Sequence, residues 1–197
     1  MANATIPLFP LNVVLFPDGP LPLRVFEPRY LDMVSRCLKE DIDFGVLRLE
    51  SGSEIGAAQT VSVGTRARIL DWYQGSDGIL GITAVGIERF RVIDVTRQSD
   101  GLYVGDVESI APEPSIPLPE DYRTMASLLE VIINDLGKLY ENLDTEYGDA
   151  TWVGSRFAEI LPIAMEQRQL CLEMNDPIER LVFIRPLLRS IRQEVAQ

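Results

Sequence analysis

The segment from Val61 to Ile69 alternates apolar or small residues with polar ones, which is the pattern of a strand with one buried face. Arg66 and Arg68 fall together on the opposite face of that strand. Because consecutive side chains of a strand point to opposite sides of its sheet, both arginines are predicted to lie away from the core.

Two Asp-Gly dipeptides, Asp77-Gly78 and Asp100-Gly101, each separate two apolar runs and predict hairpin turns. Several short strands with turn signals between them are typical of a small barrel or closed sheet. The predicted strands lie near residues 66–74, 79–86, 87–97 and 102–110.

Prolines mark two further elements in this strand-rich region. Residues 21–25 also alternate, but Pro20 and Pro22 lack the backbone donor of an inner strand, so the segment is predicted at a sheet edge. Proline is favoured in the first turn of a helix, and a helix is therefore predicted from Pro28 to about Asp41. Its apolar face would carry Leu31, Val34 and Leu38.

Residues 111–119 contain four prolines and predict a stiff connector between a strand-rich region, residues 1–110, and a helical region, residues 120–197. The helical region contains two sets of apolar residues spaced alternately three and four apart, which places each set on one helix face. The first set is Tyr122, Met125, Leu129, Ile132, Leu136 and Leu139. The second set, behind an Asp176 cap and Pro177, is Leu181, Ile184, Leu188, Ile191 and Val195.

Two apolar stripes of this kind most often pack on each other inside one helix bundle, which is the arrangement we expect. Such a stripe could also form a dimer seam, so the expected assembly is a monomer or a weak homodimer. Between the stripes, shorter helices are predicted around residues 152–160, ended by Leu161-Pro162, and near residues 164–174.

The formal net charge of the 197 residues is −12, and both regions are acidic. Nucleic-acid binding draws most of its affinity from neutralised phosphates, so this balance weighs against nucleic acid as a partner. No run of residues is long and apolar enough for a transmembrane helix, and the start of the chain does not resemble a signal peptide. We therefore expect a cytoplasmic protein without a membrane partner, in which Cys37 and Cys171 are reduced core residues.

The sequence contains no histidine, which excludes Ser-His-Asp and Cys-His nucleophiles and histidine-ligated metals. It also lacks the G-x-x-x-x-G-K-[ST] motif that binds ATP phosphates. Acidic residues between Glu141 and Asp149 lack the spacing of a calcium loop. A pair of carboxylates could still form an acid–base site, but the prediction is a protein with no catalytic residue, no metal and no cofactor.

Several long motifs carry a family resemblance. The first is Ile6-Pro7-Leu8-Phe9-Pro10-Leu11-Asn12-Val13-Val14-Leu15-Phe16-Pro17, followed by Phe26-Glu27-Pro28-Arg29-Tyr30. Later ones are Gly86-Ile87-Glu88-Arg89-Phe90-Arg91-Val92 and Asp176-Pro177-Ile178-Glu179-Arg180-Leu181. In this order, from about residue 5 to 190, they resemble the N-terminal, substrate-binding domain family of Lon proteases.

The resemblance implies an α+β fold in which a PUA-like β pseudo-barrel precedes a C-terminal helical subdomain. It also implies substrate recognition, since this domain helps Lon proteases to recognise damaged or unfolded proteins. The sequence stops after that first domain and resembles a stand-alone Lon-domain protein, so ATPase and peptidase activities are not carried over. Large signature residues are expected in the core, namely Phe9, Phe16, Phe26, Tyr30 and Phe90.

The predicted function is therefore a non-catalytic module whose partners are polypeptides, in particular unfolded or damaged proteins. Trp72 and Tyr73 are candidate peptide-contact residues, because aromatic side chains beside a turn can anchor a peptide at low entropic cost. Arg66 and Arg68 join them as candidates. RNA binding is the alternative, since PUA-like barrels of other families bind RNA. The arginines that could line one face for it are Arg66, Arg68, Arg89 and Arg91.

Overall fold

In the computed structural model, which describes residues 3–52, 58–141 and 143–195, the chain divides into two units. Over the described ranges, the first unit, Met1–Pro112, is built from seven strands and one helix. The second unit, Glu113–Gln197, is helical. This is the α+β class, with a strand-rich part followed by helices, that the sequence predicts.

A closed sheet forms the first unit. Its elements are β1 (Asn3–Leu11), β2 (Pro20–Val25), α1 (Pro28–Glu40), β3 (Phe44–Gly52), β4 (Ala58–Thr60), β5 (Val63–Gln74), β6 (Leu80–Arg97) and β7 (Tyr103–Ser109). The strand order is β1-β7-β6-β5-β3-β4, and β1 also pairs with β3 in parallel. That last pairing closes β1, β7, β6, β5 and β3 into a barrel, and β2 joins from outside by pairing with β6.

Among the described residues of this unit, apolar side chains form two buried clusters. One includes Ile6, Leu8, Leu47, Phe90 and Val107. The other, which includes residues of α1, contains Phe9, Tyr30, Met33, Phe44 and Ile82. The rings of Phe9 and Tyr30 stack with their centroids 3.9 Å apart. Cys37 is also buried there as a free thiol, as predicted.

Helix α1 has the predicted start and end, but its buried face is different. Asp41 adopts a positive φ of 53° directly after the last helical residue and ends the helix. Val34 is buried as predicted, whereas Leu38 is 44% exposed and Leu31 is only partly buried. The apolar residues that the helix buries are Tyr30, Met33, Val34 and Cys37.

Strand β6 is continuous over 18 residues, so the predicted break between residues 86 and 87 is wrong. Its partners change along its length: β2 pairs with residues 80–85, and β7 pairs with residues 90–97. A Cβ atom at Gly86 would lie 2.1 Å from the carbonyl oxygen of Phe16. Gly86 therefore marks a close backbone approach and not a turn. The two predicted Asp-Gly turns are confirmed, with positive φ angles of 81° at Gly78 and 89° at Gly101.

The second unit is organised around one central helix. Its helices are α2 (Arg123–Leu136), α3 (Ala150–Ile160), α4 (Met165–Glu173) and α5 (Pro177–Val195). α3 packs most extensively on α5 and also contacts α4 and α2. The prediction that the two long apolar stripes pack mainly on each other is therefore wrong.

The two stripes are buried to different extents. In α5, Leu181, Ile184 and Leu188 are buried within the chain, while the side chain of Val195 lies outside the described residues. The predicted stripe of α2 is exposed at its end, because the helix stops at Leu136. Leu136 and Leu139 are each 43% exposed.

Residues 113–119, the first part of the helical unit, are hydrogen-bonded to the start of α3. The backbone N–H of Ala150 donates to the Ile116 carbonyl at 2.8 Å, and the Thr151 hydroxyl donates to the Pro114 carbonyl at 2.7 Å. The Asp149 carboxylate accepts from the N–H of Trp152 at 2.8 Å and thereby caps α3. Its other oxygen accepts from the Ile116 N–H at 3.1 Å.

Candidate functional site

A groove of about 300 Å³ lies on the first unit, formed by the end of β1, strand β2 and the start of α1. Most of its lining is apolar. The lining includes Leu11, Val13, Leu21, Leu23, Phe26 and Tyr30. An apolar groove with a few polar groups at its margin is the usual form of a binding site.

Phe26 is the most exposed large side chain of the groove. It was predicted in the core, but 63% of its surface is exposed, whereas Phe9, Phe16, Tyr30 and Phe90 are buried as predicted. It stands in the short link between the last residue of β2 and Pro28, the first residue of α1. An exposed aromatic ring beside an apolar groove is the kind of side chain that anchors a partner.

The two charged residues of the groove are both held by intramolecular ion pairs. Arg24 pairs with Asp77 in the β5–β6 turn. The Ile79 N–H donates to Asp77, and this bond, together with the Arg24 guanidinium, lowers the pKa of the Asp77 carboxyl. Glu27 pairs with Arg29 at 2.9 Å, and Arg29 also donates to the Gly101 carbonyl at 2.9 Å. Most side chains that line the groove are thus apolar, its accessible surface is close to half polar, and its charged residues are paired.

Within the described residues, β2 pairs with β6 and its other edge, here called the open side, has no strand partner. The N–H of Gly86 donates to the Gly19 carbonyl at 3.0 Å, and this bond fixes which residues of β2 face β6. Residues 21, 23 and 25 direct their backbone groups to β6, so Pro20, Pro22 and Arg24 direct theirs to the open side. Because proline has no N–H, the open side has three carbonyl oxygens but a single donor, that of Arg24.

The predicted contact residues Trp72 and Tyr73 are exposed, at 58% and 55%, but they lie on opposite faces of β5. Trp72 stands opposite the buried Ile82 of β6, so it shares the face that points to the core. Tyr73 stands opposite Gly81, and its ring covers that glycine: a Cβ atom there would lie 2.2 Å from the Tyr73 Cζ atom. The two side chains therefore do not form one aromatic surface.

Arg66 and Arg68 lie on the outward face of β5, as predicted, and both bind the same carboxylate. Arg66 donates to Asp43 at 3.0 Å and to Glu88 at 2.7 Å, and Arg68 donates to Asp43 at 3.0 Å. The hydrogen bond that Arg68 donates to the Asp43 carboxylate raises the pKa of Arg68. Arg89, another arginine of the RNA hypothesis, is buried at 4% exposure. An intramolecular ion-pair network thus joins Arg66 and Arg68 to Asp43 and Glu88, and it gives no support to an open cationic face for RNA.

Sequence reasoning missed the groove because its side chains belong to the motifs predicted as core. Phe26 carried a usable signal: it directly follows an alternating strand and stands two residues before a helix-starting proline, where neither element can cover it.

Among the residues that the structure describes, no group of three His, Cys, Asp or Glu side chains is placed to hold a metal ion. In the same residues, no helix is both long and apolar enough to cross a membrane.

Comparisons with protein families and with solved structures identify the same kind of relative, the N-terminal domain of Lon proteases. Residues 5–190 match the family described as ATP-dependent protease La (LON) substrate-binding domain. The structure of a Lon N-terminal domain protein from Xanthomonas campestris is 35% identical, with a TM-score of 0.76, and the match covers 94% of this chain and 98% of that one. The N-terminal domain of a Mycobacterium avium complex Lon protease has a TM-score of 0.61 at 12% identity, covering 92% and 96%, which is a likeness of fold alone.

Curated proteins match over different lengths. Protein cereblon of Gallus gallus is 33% identical over 116 residues, which are 57% of this chain and 25% of that protein. Lon protease of Escherichia coli (strain K12) is 25% identical over 194 residues, which are 94% of this chain and 24% of that protein. The chain thus spans about a quarter of the length of these relatives.

Proposed function

The chain belongs to the ATP-dependent protease La (LON) substrate-binding domain family, and from this membership we propose that it is a non-catalytic module that binds polypeptides. Its partners are unfolded or damaged proteins. Unfolded chains differ from folded ones in that their large apolar side chains are accessible, and such side chains gain free energy when they enter an apolar groove.

The observation that carries this proposal is the groove with Phe26 at its margin. The groove is lined by apolar side chains, and its charges, Arg24 and Glu27, are already paired within the chain. An apolar segment can therefore enter without leaving a buried charge unpaired, which would cost several kcal/mol. A ring that is 63% exposed also has most of its surface left to bury against a partner.

Trp72 is the predicted contact residue that fits this site best. It faces the same side of the sheet as Ile82, which stands opposite Leu23 in β2, and Leu23 lines the groove. Tyr73 lies on the other face of β5, and Arg66 and Arg68 are engaged by Asp43. The proposal therefore assigns partner contact to Phe26 and Trp72, and sheet stabilisation to those other three residues.

The experiment compares one probe protein in two states. A disulfide-containing model protein, reduced and blocked with iodoacetamide so that it stays unfolded, is titrated against the chain, with its native form as the control. We expect saturable binding of the unfolded form and none of the native form. Equal binding of both forms, or binding of neither, would contradict the proposed function.

A further inference from the structure

The open side of β2 is rich in hydrogen-bond acceptors and poor in donors. Pro20 and Pro22 remove two of its three outward N–H groups, while all three outward carbonyl oxygens remain. A strand added to an edge needs alternating donors and acceptors. Along this edge the carbonyls of an added strand would find too few donors, so a backbone ladder is disfavoured.

An edge of carbonyl oxygens complements a group with several N–H donors. Lysine ammonium has three donors and arginine guanidinium has five, and neither carries an acceptor. Hydrogen bonds from such charged donors are stronger than those from neutral ones. Both side chains also have apolar stems, which can pack along an apolar groove while the charged head reaches a polar margin.

The charge of the first unit points the same way. Residues 1–112 contain 10 Lys and Arg and 15 Asp and Glu, which gives this unit a net charge of −5. Arg24, the one cation among the described residues that line the groove, is paired with Asp77. An approaching cationic segment therefore meets an acidic unit and no unpaired cation in the groove, whereas an acidic segment is repelled by the unit as a whole.

We propose that the groove selects polypeptide segments in which Lys or Arg stands next to large apolar residues. The apolar side chains enter the groove, and the cationic heads donate to the outward carbonyls of Pro22 and Arg24, which line it. This inference rests on the proposed polypeptide-binding function. It adds a charge preference and a direct contact of side chains with the β2 edge.

The test uses short unstructured peptides that share the same Leu and Phe positions and carry Lys, Gln or Glu at the positions between them. Their affinities for the chain are measured by isothermal titration at low and moderate salt. A fourth peptide carries trimethyl-lysine, which keeps the positive charge but loses the N–H donors. We expect the Lys peptide to bind roughly tenfold more tightly than the Glu peptide, and trimethylation to remove about threefold of that gain.

Each outcome decides a different statement. Equal affinity of the Lys, Gln and Glu peptides overturns the charge preference and leaves polypeptide binding intact. Full retention of affinity by the trimethyl-lysine peptide overturns donation to the carbonyl edge. Binding of none of the peptides overturns the inference together with the proposed function.

A variant of the chain supplies an independent check. Pro22 is exposed, and Pro22→Val returns one N–H donor to the open side of β2 with a residue that suits a strand. We expect this variant to lower the preference for Lys over Glu by about threefold, with little change for the Gln peptide. An unchanged preference in a variant with wild-type thermal stability would count against the carbonyl edge.

Discussion

Arg180 and Glu113 form a buried ion pair, in which the Nη2 atom of Arg180 lies 2.7 Å from the Oε1 atom of Glu113. Arg180 is fully buried, at 0% exposure, and also donates to the carbonyls of Cys171 and Met174 at 2.8 and 2.9 Å. One side chain of α5 thereby holds the end of α4 and the first residue of the helical unit.

Loss of the Glu113 carboxylate should destabilise the helical unit strongly. In Glu113→Ala the Arg180 charge stays buried without its counter-ion, so we expect a loss of about 3–5 kcal/mol in the free energy of unfolding. The matched control is Arg123→Ala, which breaks an exposed pair with Glu120 and should cost less than about 1 kcal/mol. Urea unfolding followed by circular dichroism measures both, and equal costs would refute the importance of the buried pair.

Two glycines of β6 should respond very differently to a methyl group. In Gly86→Ala the new Cβ meets the backbone oxygen of Phe16, which cannot move away without disturbing the barrel. We therefore expect a loss of about 3 kcal/mol in the free energy of unfolding. In Gly81→Ala the new Cβ meets the ring of Tyr73, which is half exposed and can turn aside. We therefore expect a smaller loss in the free energy of unfolding, about 1 kcal/mol.

The double variant Tyr73→Ala/Gly81→Ala tests this explanation. Because the ring that obstructs the methyl group is then absent, the double variant should lose less free energy of unfolding than the two single variants lose in sum. Additive costs in the same urea titrations would show that the ring does not set the cost at Gly81.

Removal of the Phe26 ring should weaken partner binding without affecting stability. Phe26→Ala is expected to lower the affinity for an unfolded probe protein about tenfold, as expected for an aromatic anchor. Leu70→Ala is the matched control, because Leu70 is also 63% exposed but does not line the groove. Thermal unfolding should be unchanged in both variants. A similar loss of affinity in both would indicate nonspecific apolar binding.

The two buried thiols should make stability fall at alkaline pH. Burial raises the pKa of Cys37 and of Cys171 from 9.0 to about 11. The folded state thus binds the proton more tightly than the unfolded state, so this contribution is fully present below about pH 9 and is lost as the pH rises towards 11. The free energy of unfolding should decline less steeply across that window in Cys37→Ala/Cys171→Ala than in the unaltered chain.

Thiol reactivity gives a second measurement of the same burial. At neutral pH neither native thiol should react with a disulfide reagent, while both should react in urea, because the thiolate is the reactive form. Rapid reaction of the native chain, or identical slopes of stability against pH, would contradict the inward placement of the thiols.

The starts of helices and the positions of turns were predicted well from sequence, because each depends on a few neighbouring residues. Pro28 begins α1, and the Asp-Gly dipeptides at 77–78 and 100–101 form turns with positive φ at each glycine. Asp176 caps α5 by accepting from the N–H of Ile178 at 2.8 Å. In each case one residue type and its immediate neighbours determine the backbone conformation.

Features that depend on distant residues could not be predicted in the same way. The close approach of Phe16 to Gly86 of β6 joins residues that are 70 positions apart in sequence. The network of Arg66 and Arg68 depends on Asp43, which precedes β3. The candidate groove was not predicted for the same reason. In the sequence its apolar lining residues look like core residues, and only the strand pairing shows which edge of β2 has no partner.

The barrel is closed by its first strand. Thr5 of β1 donates to Asp106, which stands directly opposite it in the β1–β7 ladder, across 101 positions of sequence. Its antiparallel partner β7 begins only at Tyr103, so the chain between the two strands contains β2 to β6 and α1. Long-range pairing of this kind folds slowly, because the entropy of closing the intervening chain must be lost before the contact forms. Until β7 has formed, β1 lacks its antiparallel partner and the barrel is not closed, which is a stage of folding at which chaperones can act on the chain.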